Sequence, residues 1–110
     1  MKKLRFLCLH GYSNSTELFN YMAGPFMKKY EDYAEFYVPE GLYPSNEPVP
    51  KIIKEMNMKL PLRSWFDLRG WVFDETLLPP ALFYGFANTI DFLLNYMNEN
   101  GPFDGFLTFS

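Results

Sequence analysis

Histidine and cysteine are nearly absent from this sequence, which carries one of each among 110 residues, His10 and Cys8. A single cysteine cannot close an internal disulfide, in keeping with a reducing compartment. One histidine and one cysteine, two residues apart on an extended segment, supply neither the number nor the spacing of ligands that a zinc site needs. No metal or other cofactor is therefore expected. Basic residues are few and scattered, ten Lys and Arg against thirteen Asp and Glu for a net charge of −3. Outside Lys2-Lys3 and Lys28-Lys29 they do not cluster, so there is no stripe to neutralise phosphates and a nucleic-acid role is set aside. Long apolar runs are missing too. No segment approaches 18 consecutive apolar residues, and the run that follows Lys2, Lys3 and Arg5 is too short for a signal-peptide core. The expectation is a soluble chain without a membrane span in the cytoplasm, with the nucleus also open to it. Its oligomeric state stays open.

What is present is the composition of a globular protein, 48% hydrophobic and 21% charged, which gives no case for disorder. Aromatics make up 20%; they serve first as core fillers and only second as walls of an apolar pocket. Leu4 to Leu9 is a short apolar run closed by His10-Gly11-Tyr12, the pattern of a buried parallel strand. Asn14 with Glu17 three residues on reads as a capping box opening a helix, on which Leu18, Phe19, Met22, Phe26 and Tyr30 recur at helical spacing. Gly24-Pro25 is expected to kink or break that helix. A second strand is expected at Ala34 to Val38, ended by Pro39.

Between Pro39 and Pro80 the sequence becomes irregular, with seven prolines set among Tyr43, Trp65, Phe66, Trp71 and Phe73. So long a loop suggests a lid or binding wall. The alternative is that Ile52, Ile53 and Met56 form a short helix and the aromatics fasten the loop to the core. The strongest helical pattern runs from about Pro80 to Asn98, with Leu82, Phe86, Ile90, Leu93, Leu94 and Met97 on one stripe and Gly101-Pro102 as its stop. A last strand then leads to Ser110. Strand, helix, strand, loop, helix, strand gives parallel crossovers.

An apolar strand running into Phe-Ser is how a nucleophilic serine is delivered to a strained strand-to-helix turn. With His10-Gly11-Tyr12 at one end and Gly101-Pro102-Phe103-Asp104-Gly105-Phe106-Leu107-Thr108-Phe109-Ser110 at the other, the chain resembles the FSH-type serine hydrolases, the fungal and animal family that includes the ovarian-cancer-associated hydrolase. Arg63-Ser64-Trp65-Phe66 is similar to that family's Arg-x-Trp-Phe segment. Thr108 stands where the family has Gly, and Ser13-Asn14-Ser15 where it usually carries a Gln-Asn pair. The resemblance implies an α/β fold, a partial α/β-hydrolase of three layers with helices flanking a parallel sheet. Residues 1–110 would be about the N-terminal half of the domain, since a complete doubly wound hydrolase needs roughly twice this length.

The activity so implied is hydrolysis of a small-molecule carboxylic ester or thioester through an acyl-serine on Ser110. The family's Asp and His follow the serine, so neither partner is in this chain, and the chain alone is expected to be an inactive fragment. His10 precedes the nucleophile, the wrong order for the base. It is expected to brace the loop after the first strand, a contact with substrate remaining open. Gly11 permits the turn, and Tyr12 N–H is the implied oxyanion donor. Asp104 is six residues from Ser110, about 20 Å along a strand, and is expected to form a turn with Gly105. Cys8 reads as a small buried hydrophobe. Two competing readings are a non-catalytic remnant or interaction module, and a relative of the acyl-protein thioesterases and carboxylesterases.

Overall fold

The computed structural model describes residues 2–45, 47–67 and 85–108. Three strands pair in parallel in the order β2-β1-β5, with β1 at Leu4–Leu9, β2 at Ala34–Tyr37 and β5 at Gly105–Thr108. Leu4 lies opposite Ala34 and Leu7 opposite Tyr37; on the other side Phe6 faces Gly105 and Leu9 faces Thr108. The central strand is the most apolar and the most buried. Leu7 and Cys8 at its middle are essentially inaccessible, as the run of apolar residues demands of a strand covered on both faces.

Alternation along the strands sorts the two faces. Phe6, Cys8, Phe36 and Leu107 meet Phe19, Ala23 and Met27 of α1, which spans Thr16–Lys29. Arg5 and Tyr37 on the opposite face meet the end of α3, Phe86–Asn100, and the turn that follows it. There the Arg5 guanidinium donates to Tyr37 Oη at 2.8 Å, to the Asn100 carbonyl and to the Pro102 carbonyl at 3.3 Å, and lies over the Tyr37 and Phe103 rings. Asp104 accepts the Arg5 backbone N–H at 2.8 Å through its carboxylate and returns its own N–H to the Arg5 carbonyl at 2.7 Å. These bonds to the neighbouring strand fix the start of β5, where the sequence predicts a turn formed with Gly105.

Three expectations need correction. The cap of α1 is Ser15 rather than Asn14: Ser15 Oγ accepts from Leu18 N at 3.0 Å, Asn14 Oδ1 accepts from Ser15 N, and Glu17 reaches across to the Lys59 amide. Of the kink or break expected at Gly24-Pro25, the break does not occur: the helix continues through Pro25. Pro25 and Tyr21 lie on the exposed face, where solvent can take up the Tyr21 carbonyl that the proline leaves without its helical donor. Thirdly, α3 starts at Phe86, with Gly85 as its cap at φ 86°, a left-handed conformation that favours glycine. A Cβ there would also lie 2.7 Å from the Tyr43 ring. Of the stripe proposed for this helix, Leu82 lies outside the described residues, and Phe86, Ile90 and Leu94 are exposed.

The described part of the irregular region is fastened down. Short β3 (Tyr43–Pro44) and β4 (Arg63–Ser64) pair antiparallel, and between them lies the five-residue α2, Lys51–Glu55. Ile53, Met58 and Leu62 bury themselves with Leu18, Val49 and Met56, and Phe66 stacks on Phe86. Trp71 and Phe73, on which the lid reading also leaned, lie outside the described residues.

Candidate active site at the ends of β1 and β5

In parallel sheets ligands bind beyond the carboxyl ends of the strands. Leaving β1, the chain enters His10-Gly11-Tyr12 at that edge, and β5 reaches it at Thr108, paired with Leu9. Ser110, two residues further on, lies outside the described residues.

His10 is 3% exposed. Its Nε2 accepts the Gly41 backbone N–H at 2.9 Å. An amide N–H can only donate, so Nε2 carries no proton; the ring proton sits on Nδ1 and is donated to the Gly11 carbonyl at 2.8 Å. Burial pushes the His10 pKa down, and the Arg63 charge pushes it further the same way; the Gly11 carbonyl and Glu40 oppose both. With both nitrogens engaged and the neutral form favoured, this imidazole has no free position for taking a proton from a serine.

The loop after His10 is held from several sides. The Trp65 indole stacks on the His10 ring at 5.0 Å between centroids and donates Nε1–H to the His10 carbonyl at 2.8 Å. Ser13 adopts φ 50°, an uncommon conformation for a residue with a Cβ. Its N–H goes to Ser64 Oγ at 3.3 Å and its hydroxyl accepts from Ser45 Oγ at 2.8 Å. Asn14 exchanges both backbone hydrogen bonds with Arg63, at 3.0 and 2.6 Å. Between these fixed points, no acceptor among the described residues takes the Tyr12 N–H. The exposed Tyr12 phenol donates to Glu47 at 2.9 Å, and its pKa is raised by burial and by Glu47.

Arg63 is the hub of the support. Nε donates to the Gly41 carbonyl at 3.0 Å and one terminal nitrogen to the Leu42 carbonyl at 2.6 Å. Gly41 has to be glycine for a packing reason: a Cβ would lie 2.6 Å from the Ser64 carbonyl oxygen. The Arg63-Ser64-Trp65-Phe66 resemblance pointed to this stretch, but nothing in the sequence marked Gly41 as the partner of His10.

Cys8, by contrast, is fully buried in the sheet, with its thiol pKa pushed up by burial to about 11. Among the described residues no group of His, Cys, Asp and Glu could hold a metal ion, and no helix is long and apolar enough to cross a membrane.

The family model described as "Serine hydrolase (FSH1)" matches residues 1–110. The chain belongs to the FSH1 serine hydrolase family. As an FSH1 chain it has a partial α/β-hydrolase fold, the parallel sheet with flanking helices described above. It is 32% identical to Esterase CG5412 of Drosophila melanogaster, over 99% of this chain and 38% of that protein. It is 30% identical to human Esterase OVCA2, over 99% of this chain and 51% of that protein. Its identity to Esterase C25G4.2 of Caenorhabditis elegans is 28%, over 98% of this chain and 46% of that protein. The chain thus spans about half or less of the length of these curated relatives. No solved structure matches it.

Proposed function

We propose that this FSH1 chain contributes the nucleophile and the first oxyanion donor of a serine hydrolase acting on a small-molecule carboxylic ester or thioester. Ser110 Oγ attacks the acyl carbon while its proton passes to an imidazole. The carbonyl oxygen becomes an oxyanion facing Tyr12 N–H, and collapse expels the alcohol or thiol, which takes the proton back. Water then releases the acid from the acyl-serine by the same steps. His10 is the only histidine in the 110 residues, and both its nitrogens are already bonded. The accepting imidazole therefore comes from polypeptide outside these residues, as the family's order of Ser, Asp, His implies for its carboxylate too, and the 110 residues alone do not turn over ester.

The register carries this reading. Thr108 beside Leu9 brings the exit of β5 to the edge where the His10-Gly11-Tyr12 loop leaves β1, and no acceptor among the described residues takes the Tyr12 N–H. A fluorophosphonate probe tests it in the protein at its natural length. Ser110→Ala should abolish labelling and Cys8→Ala should leave it intact; labelling that persists in Ser110→Ala and vanishes with another serine moves the nucleophile elsewhere.

One observation favours a second reading, an interaction module. Among the described strands β5 is at the sheet edge, and Phe106 is 65% exposed, a surface suited to strand addition. Absence of any labelled serine in the natural-length protein would favour it.

A further inference from the structure

The oxyanion donor proposed above sits on a loop with no secondary structure of its own, so something must hold it where charge develops. We infer that Arg63 is the positioning residue for the His10 to Asn14 loop, a reading that rests on the site proposed above. The hydrogen bonds close a ring: His10 Nε2 to Gly41 N–H, Gly41 carbonyl to Arg63 Nε, and Arg63 backbone to Asn14, four residues from His10 along the chain. Both ends of the loop thus depend on one residue. Its side chain fixes the partner of His10, and its main chain fixes Asn14.

The chemistry of the guanidinium matters at this point. Two of its nitrogens donate at once, in a planar fork, to the consecutive carbonyls of Gly41 and Leu42; a lysine ammonium is a point charge that cannot match that fork. Among the described residues no carboxylate forms a salt bridge with it. Its charge lies close enough to His10 to oppose protonation, with Glu40 acting the other way. Protonated, His10 Nε2 would present an N–H to the Gly41 N–H and break the ring. Arg63 thus holds the loop in place and adds to the burial that keeps His10 neutral, the form that can accept the Gly41 N–H.

The test is made in the natural-length protein with Arg63→Lys and Arg63→Gln, and with Lys51→Gln, on an exposed surface pair, as control. Ester turnover, Gly41 amide exchange and the His10 ring titration by NMR are measured on each. Arg63→Lys should lower kcat by about tenfold while KM stays within about twofold, as misplacement of a donor used mainly in the transition state predicts. Gly41 amide exchange should quicken by at least about tenfold over the same variant's core amides. In Arg63→Gln the His10 titration should also move upward, whereas Arg63→Lys should keep it low. Unchanged kcat in Arg63→Lys, a loss matching only the fraction unfolded, or a fall in kcat with Gly41 protection intact would each overturn the inference. If Arg63→Gln does not fold, Arg63→Lys decides. Failure of the proposed mechanism is read separately, as turnover that survives Ser110→Ala.

Discussion

The backbone N–H of Gly41 donates to His10 Nε2 at 2.9 Å across 31 residues of sequence, and this bond fixes which ring nitrogen of the only histidine in the chain carries the proton. It joins the end of β1 to the loop after β2 and has no room for variation on the Gly41 side, where the Ser64 carbonyl closes the space.

Gly41→Ala should therefore be among the most damaging small substitutions here. The added methyl meets backbone, which cannot swing aside, so destabilisation of about 1–3 kcal/mol is expected from overpacking. Urea denaturation measures it. A variant as stable as the parent, with the His10 titration unmoved, would show that the loop shifts freely.

Acid should loosen the same bond. The folded pKa of His10 lies below its ordinary value near 6.5, so the unfolded chain binds the proton more readily. The stability this gives is complete above about pH 6.5 and is lost as pH falls through the folded pKa. Denaturation midpoints between pH 7.5 and 5 should fall accordingly. His10→Gln, whose side-chain carbonyl can still accept from Gly41, should flatten that part of the profile; an equal slope in both proteins would assign the acid sensitivity to other groups.

Ser15→Ala removes the side-chain acceptor for Leu18 N–H at a cap that is 2% exposed. A loss of about 1 kcal/mol is expected. Glu17→Ala, which leaves the cap itself intact, should cost less. The reverse order in thermal or urea unfolding would restore a capping box built on Asn14 and Glu17.

Cys8 should be inert in the native protein, since its thiol is buried and its pKa is about 11. Iodoacetamide at pH 7.5 should modify it at least about tenfold more slowly than in denaturant. Equal rates in the two conditions would contradict burial in the folded sheet.

The three parallel strands and the two long helices were legible because each rests on a local pattern. An apolar run closed by His10-Gly11, the periodicity of Leu18, Phe19, Met22 and Phe26, and the stop at Gly101-Pro102 act over a few residues. The sequence also supplied the family resemblance at its two ends, since those motifs are contiguous. Only tertiary structure decided the rest. The helix tolerates Pro25 because that face is exposed, the cap falls on Ser15 because its Oγ takes the Leu18 N–H while Glu17 accepts from Lys59, and His10 carries its proton on Nδ1 because Gly41 donates to the other nitrogen. Arg63 likewise gains its place by reaching residues 41, 42 and 14. Hydrogen bonds between groups tens of residues apart depend on how the chain returns on itself, and periodicity along the chain carries no record of that return.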